Sequence, residues 1–95
     1  MHVGILKIKL HLPITNSLKG KRSIVQSTSN QIRNRFQVAV AEVDKNELWQ
    51  IAVIGIVCVS NSSRHSSQVL DSVLQFVDSS QVEITESQID VISGF

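Results

Sequence analysis

Residues 17–36 read SLKGKRSIVQSTSNQIRNRF, and this stretch joins an apolar stripe at helical spacing to most of the chain's positive charge. Leu18, Val25, Ile32 and Phe36 recur at intervals of seven, seven and four, which at 3.6 residues per turn places them along one side of a helix. Lys19, Arg22, Gln26, Asn30 and Arg33 fall on the opposite side, with Lys21 and Arg35 towards the flank near the two ends. Ser17 or Asn16 supplies an N-cap oxygen for an orphan N–H of the first turn. Gly20 costs about 1 kcal/mol relative to Ala, so packing has to hold this helix.

Working outward, Val3 to Leu12 alternates, with Leu6, Ile8, Leu10 and Leu12 on one face and Val3, Ile5, Lys7, Lys9 and His11 on the other. That is a strand with one firmly buried face, and Pro13, Thr15 and Asn16 turn it into the helix. Beyond the helix, Gln37 to Val43 reads as a second strand, with Phe36, Val38 and Val40 facing one way and Ala39, Ala41 and Val43 the other. Asp44 to Glu47 is a polar connection. Trp49 to Ser60 is apolar on both faces and rich in Val and Ile, as a strand in the middle of a sheet would be. Asn61, Ser62 and Ser63 offer caps to a second helix carrying Val69, Leu70, Val73, Leu74 and Val77 up to Asp78. Val82 to Ile92, with Glu83, Glu86 and Asp90, reads as a last strand at a solvated edge. The order β-α-β-β-α-β, with right-handed crossovers, implies an α+β fold: a ferredoxin-like split βαβ sandwich. The expected sheet is antiparallel, in the order 4-1-3-2, with both helices on one face.

Ninety-five residues, 42% of them hydrophobic, suit one domain spanning 1–95 with one core. The net charge of +1 conceals a strong asymmetry. Residues 1–36 hold Lys7, Lys9, Lys19, Lys21, Arg22, Arg33 and Arg35 and no acid, whereas residues 37–95 hold Lys45 and Arg64 against eight acids, a net −6. The single cysteine, Cys58, sits in an apolar run; it rules out an internal disulfide framework and is read as buried and inert. Lys7 and Lys9 interrupt the first apolar stretch, so no signal peptide is expected. The longest apolar run, Ile51 to Val59, falls well short of the ~20 residues of a membrane helix. The expectation is a cytoplasmic protein without a membrane partner.

Five blocks together resemble the signature of the YlxP-like family of small bacterial domains of unknown function. They are Ser17-Leu18-Lys19-Gly20-Lys21-Arg22, Arg33-Asn34-Arg35-Phe36, Val38-Ala39-Val40-Ala41-Glu42-Val43, Leu48-Trp49-Gln50 and Val59-Ser60-Asn61. The resemblance runs from Val3 to about Ile92. It implies a ferredoxin-like fold, no established enzymatic activity, and relatives often encoded beside translation-initiation and ribosome-maturation genes. The chain departs from the family pattern at Gln37, where Asn is usual, at Gly20, where Glu is frequent, and in the Ser-rich start of the second helix.

Several chemistries fail on spacing. Gly20-Lys21 lacks the upstream Gly and the following Ser or Thr of a phosphate loop. His2, His11 and His65 are far apart with no carboxylate or Cys at ligand spacing, so neither metal nor cofactor is expected. Acylphosphatases share the expected fold, but their phosphate-binding turn after the first strand has no counterpart here, and fold alone transfers no function. Glu42 follows small and apolar residues late in the second strand and is read as a partner for one of the helix's cations rather than as a catalyst, since a lone carboxylate supports no reaction class. The expectation is therefore a non-enzymatic protein.

A field of flexible cations is what phosphate contacts require, so Lys19, Lys21, Arg22, Arg33 and Arg35, with Lys7 and Lys9 on the neighbouring strand, are the nucleic-acid-binding candidates. The bland alternative is that they are solvated side chains whose stems cover the core edge. The central strand offers Ile51, Val53, Val57 and Val59 where a base-stacking sheet would carry aromatic rings, which argues against sequence-specific single-strand readout. The expected partner is ribosomal RNA or the ribosome, with a role in ribosome maturation or translation. The alternative is a homo-oligomeric interaction module without a nucleic-acid role. If the Leu6 face lies under the helices, Val3, Ile5, Ile51, Val53, Val57 and Val59 point outward together. Such a patch predicts a homodimer or larger closed oligomer formed by packing open sheet faces.

Overall fold

The structure is a computed structural model that describes residues 1–12, 16–45, 48–80 and 82–95. The turn expected at Pro13 and Thr15, and Asn46 and Glu47 of the polar connection, lie outside the described residues.

The alternation in the first segment produces β1 (His2–His11), in which Gly4, Leu6, Ile8 and Leu10 are buried and the residues between them are not. The basic stretch forms α1 (Leu18–Arg35), capped by Ser17, whose Oγ accepts from Gly20 N at 3.0 Å. β2 (Ala39–Asp44) is short, because Phe36 to Val38 are spent leaving the helix: Phe36 N–H still donates to Ile32 O. The apolar run becomes β3 (Ile51–Ser60), followed by α2 (Ser63–Asp78), capped by Ser62 Oγ accepting from His65 N at 3.2 Å. β4 (Glu83–Ile92) completes the chain.

All three strand pairings are antiparallel, in the order β2-β3-β1-β4, which from the opposite edge reads β4-β1-β3-β2. β3 and β1 are central; β3 is apolar along almost its whole length, as a central strand is expected to be, whereas β1 alternates and carries Lys7, Lys9 and His11 on the face away from the helices. One cluster contains Leu6, Ile8, Leu10 and Leu12 from the first strand and its end, Val40 from β2, and Ala52, Ile54, Ile56 and Cys58 from β3. It also contains Val25 and Ile32 from α1 and Leu70, Val73 and Val77 from α2. Both helices therefore cover the same sheet face, α1 over β2 and α2 over β1, β3 and β4. Gly4 is required by the second contact, since a Cβ there would lie 2.9 Å from Leu70 Cδ1 and 3.2 Å from Ser66 Cβ.

Two irregularities shape the β2 edge. A β-bulge shifts the β2–β3 register between Glu42 and Asp44, so that Glu42 opposes Ile54 and Asp44 opposes Val53. Lys45 then takes φ 58°, a left-handed conformation uncommon outside Gly, Asn and Asp.

Candidate nucleic-acid interface and open sheet face

The seven cations picked out from the sequence do not share one surface. Lys19 and Arg22 are exposed near the start of α1, and Arg33 and Arg35 are exposed at its end. At 1.5 Å per residue, Lys19 and Arg33 are separated by about 21 Å along the helix axis. The shallow surface between the two ends is lined by Ser23, Gln26, Ser27, Asn30, Gln31 and Asn34, all hydrogen-bonding side chains without charge.

The last-turn arginines also have structural work. Arg33 donates from Nη2 to Val40 O at 2.6 Å and from Nη1 to Asn30 Oδ1 at 3.1 Å, tying α1 to the β2 backbone. The Arg35 guanidinium lies 4.6 Å from the centroid of the Phe76 ring, and Phe76 meets Phe36 edge to face at 6.0 Å. Arg35 is thus a cation–π bridge from α1 to α2.

Lys21 is a correction to the expected interface. Its side chain is fully buried, its Nζ lies 2.8 Å from Glu42 Oε2, and the same ammonium donates to Lys45 O. A cation enclosed in this way cannot reach a phosphate. The partner expected for Glu42 is found here: Glu42 opposes Ile54, on the helix-covered face. The signal for Lys21 was its position three residues after Leu18 and four before Val25, on the apolar stripe rather than its flank.

Lys7 and Lys9 lie on the other side of the sheet from α1, because they alternate with the buried Leu6, Ile8 and Leu10. Lys9 makes a long ion pair with Glu86, at 3.9 Å, and further along the same strands His11 Nδ1 lies 3.4 Å from Glu83 Oε2. Both pairs are solvent-exposed and contribute little to stability. The α1 field therefore consists of Lys19, Arg22, Arg33 and Arg35.

On that open sheet face, Val3 pairs across to Val59 and Ile92, and Ile5 to Val57. Val59 is 63% exposed, Val57 37% and Ile92 42%, and Val43, from the bulge, is 55% exposed. Val3, Ile5 and Ile51 are half-buried. Val53 is a second correction: only 4% of it is exposed, so it cannot contribute to an interface as the lone molecule presents it. It opposes Lys9 and Asp44 in register and forms the floor of a concavity edged by Lys9, Asp44 and Lys45. Trp49 is 53% exposed beside Leu48.

Among the described residues, no three His, Cys, Asp or Glu side chains converge on a point that could hold a metal ion. No helix among them is long and apolar enough to cross a membrane. Cys58 is buried, with its Sγ 4.0 Å from the buried Ser66 Oγ.

Comparison with known proteins gives a family and no activity. The chain is 30% identical over 77 residues to an uncharacterized protein, YlxP, of Bacillus subtilis strain 168, covering 81% of this chain and 84% of that protein. A de novo designed protein, Foldit4, superposes over 99% of this chain and 98% of its own length with a TM-score of 0.51 at 9% identity, a likeness of fold alone. Residues 3–89 match the family model described as a protein of unknown function, DUF503, and the chain belongs to that YlxP-like family.

Proposed function

We propose that this protein is a non-enzymatic, RNA-binding component of the cytoplasm, built on a ferredoxin-like sandwich, that grips ribosomal RNA or a ribosomal particle through the exposed face of α1. The observation that carries this reading is the placement of charge on α1. Lys19, Lys21 and Arg22 lie in its first turns, and the first turn of the helix holds no acid, although the positive end of the helix dipole opposes cations there. Lys21 is compensated by Glu42. Lys19 and Arg22 have no such compensation among the described residues, and positions that work against local stability are where function is expected. An array of cations and uncharged hydrogen-bonding side chains suits phosphate and sugar contacts, which position a nucleic acid without reading its sequence. The gene neighbourhood implied by the family resemblance favours ribosomal RNA as the target. The test is a salt titration of binding to ribosomal RNA and to ribosomal subunits, comparing the native chain with the Lys19→Ala/Arg22→Ala variant. Absence of saturable binding at low salt would refute this reading.

A second reading, a homo-oligomer packed through the open sheet face, is favoured by the exposure of Val59, Val57, Val43 and Ile92 on or beside that face. Patches of this kind usually mark interfaces. Sedimentation equilibrium at micromolar concentration tests it, and it leaves α1 free for RNA.

A further inference from the structure

The open sheet face is not flat, and a concavity in it is chemically unlike the valine patch beside it. The depression, of about 450 Å³, has Val53 as its floor and is edged by Lys7, Lys9, Asp44, Lys45, Glu86 and Gln88. That volume lies within the range of small-molecule sites. Its form follows from the backbone. Gly55 pairs in register with both Lys7 and Ala41, and Val43 closes over it, its Cγ1 3.0 Å from where a Cβ on Gly55 would stand, while the bulge sets Asp44 opposite Val53 and Lys45 follows it at the edge of the concavity.

Lys45 is held in its left-handed conformation from both directions. Its N–H donates to Asp44 Oδ1 at 2.8 Å, and its carbonyl accepts from the buried Lys21 ammonium. A non-glycine residue in this region persists only where its surroundings enforce it, and such residues cluster at functional sites. Here the enforced turn brings the Lys45 side chain to the concavity edged by Lys7. Lys9 is engaged by Glu86, whereas the ammonium groups of Lys7 and Lys45 have no hydrogen-bonding or ion-pair partner among the described residues.

From this arrangement we infer that the concavity is a binding site for a small organic phosphate of nucleoside monophosphate size. Lys7 and Lys45 supply the two charge-assisted contacts to the phosphate. Val53, almost wholly buried, closes the bottom of the site, and the aliphatic stems of Lys7 and Lys9 offer apolar surface to the body of the ligand. Asp44, Glu86 and the Gln88 amide carbonyl accept from hydroxyl or amino groups. The two carboxylates repel a continuous polyanion, so the site selects a single anionic head carrying hydrogen-bond donors rather than a nucleic-acid backbone. It is independent of the α1 surface.

Isothermal calorimetry or NMR titration of the full chain with adenosine monophosphate, inorganic phosphate and adenosine tests the assignment. Adenosine monophosphate is expected to bind saturably and to perturb Lys7, Lys45 and Val53. The Lys7→Ala/Lys45→Ala variant should weaken it by about tenfold or more, the scale of two lost charged contacts, while Lys19→Ala/Arg22→Ala leaves it unchanged. Lys7→Gln, at an exposed side chain, is the second variant should the double change disturb folding, and it too should weaken binding. The inference is overturned if adenosine monophosphate does not saturate, if adenosine or inorganic phosphate binds as tightly, or if the lysine variants bind like the native chain.

Discussion

Lys21 and Glu42 form an enclosed ion pair between α1 and β2, with Nζ 2.8 Å from Oε2, no exposure of the lysine and 16% of the glutamate side chain exposed. The same ammonium reaches Lys45 O. One cation thereby fixes the first turns of α1, the bulged end of β2 and the left-handed turn that follows.

Breaking this pair from one side leaves a buried charge without its partner, which costs about 3–5 kcal/mol. Glu42→Ala and Lys21→Ala should each lower stability on that scale in chemical denaturation. Lys21→Met/Glu42→Leu should recover most of the loss, because apolar replacement of both members of a buried pair is often neutral or stabilising. A double variant as unstable as the sum of the singles would show that the two residues act separately.

Val53 and Val59 share the open sheet face but should respond differently to a carboxylate. Val53→Asp takes a carboxylate out of water at a buried site, and with Lys9 and Lys45 at the edge of the same concavity it should still cost about 1–3 kcal/mol whatever the assembly state. Val59→Asp, at a largely exposed position, should leave the melting temperature of a monomer nearly unchanged. If open sheet faces pack together, Val59→Asp should halve the mass seen by sedimentation.

Removing Lys19 and Arg22 should alter the salt dependence of RNA binding as well as its strength. Two phosphate contacts contribute roughly 1.4–1.8 to the slope of log affinity against log salt. The Lys19→Ala/Arg22→Ala variant should be shallower by that amount, with unaltered thermal stability, since both side chains are exposed. An unchanged slope would place the phosphate contacts elsewhere.

Gly4→Ala should destabilise by about 1–2 kcal/mol through overpacking. The new methyl would meet Leu70 Cδ1 at 2.9 Å and Ser66 Cβ at 3.2 Å, and both residues are fully buried, so neither can swing into solvent. Gly4→Val should cost more. Denaturant midpoints for the two variants check the order.

The element order and the core were legible in the sequence because they rest on periodicity. Leu6, Ile8 and Leu10 alternate and are buried together; Leu70, Val73 and Val77 recur at helical spacing and meet them. Parity also pointed Glu42 inward with Val40, and so towards a cation on the helix. Which cation was harder to see, because the charge of Lys21 suggested a flank while its spacing from Val25 put it on the buried stripe. Only the tertiary structure decided the fate of Val53 and Lys45. The bulge after Glu42 and the positive φ of Lys45 are one-residue departures from regular geometry, and they leave no mark on a pattern of period two. They nevertheless raise a wall beside β3, bury one valine of an otherwise open face and bring a third lysine to Lys7 and Lys9, because a strand edge is positioned by its register with a neighbour distant in the chain.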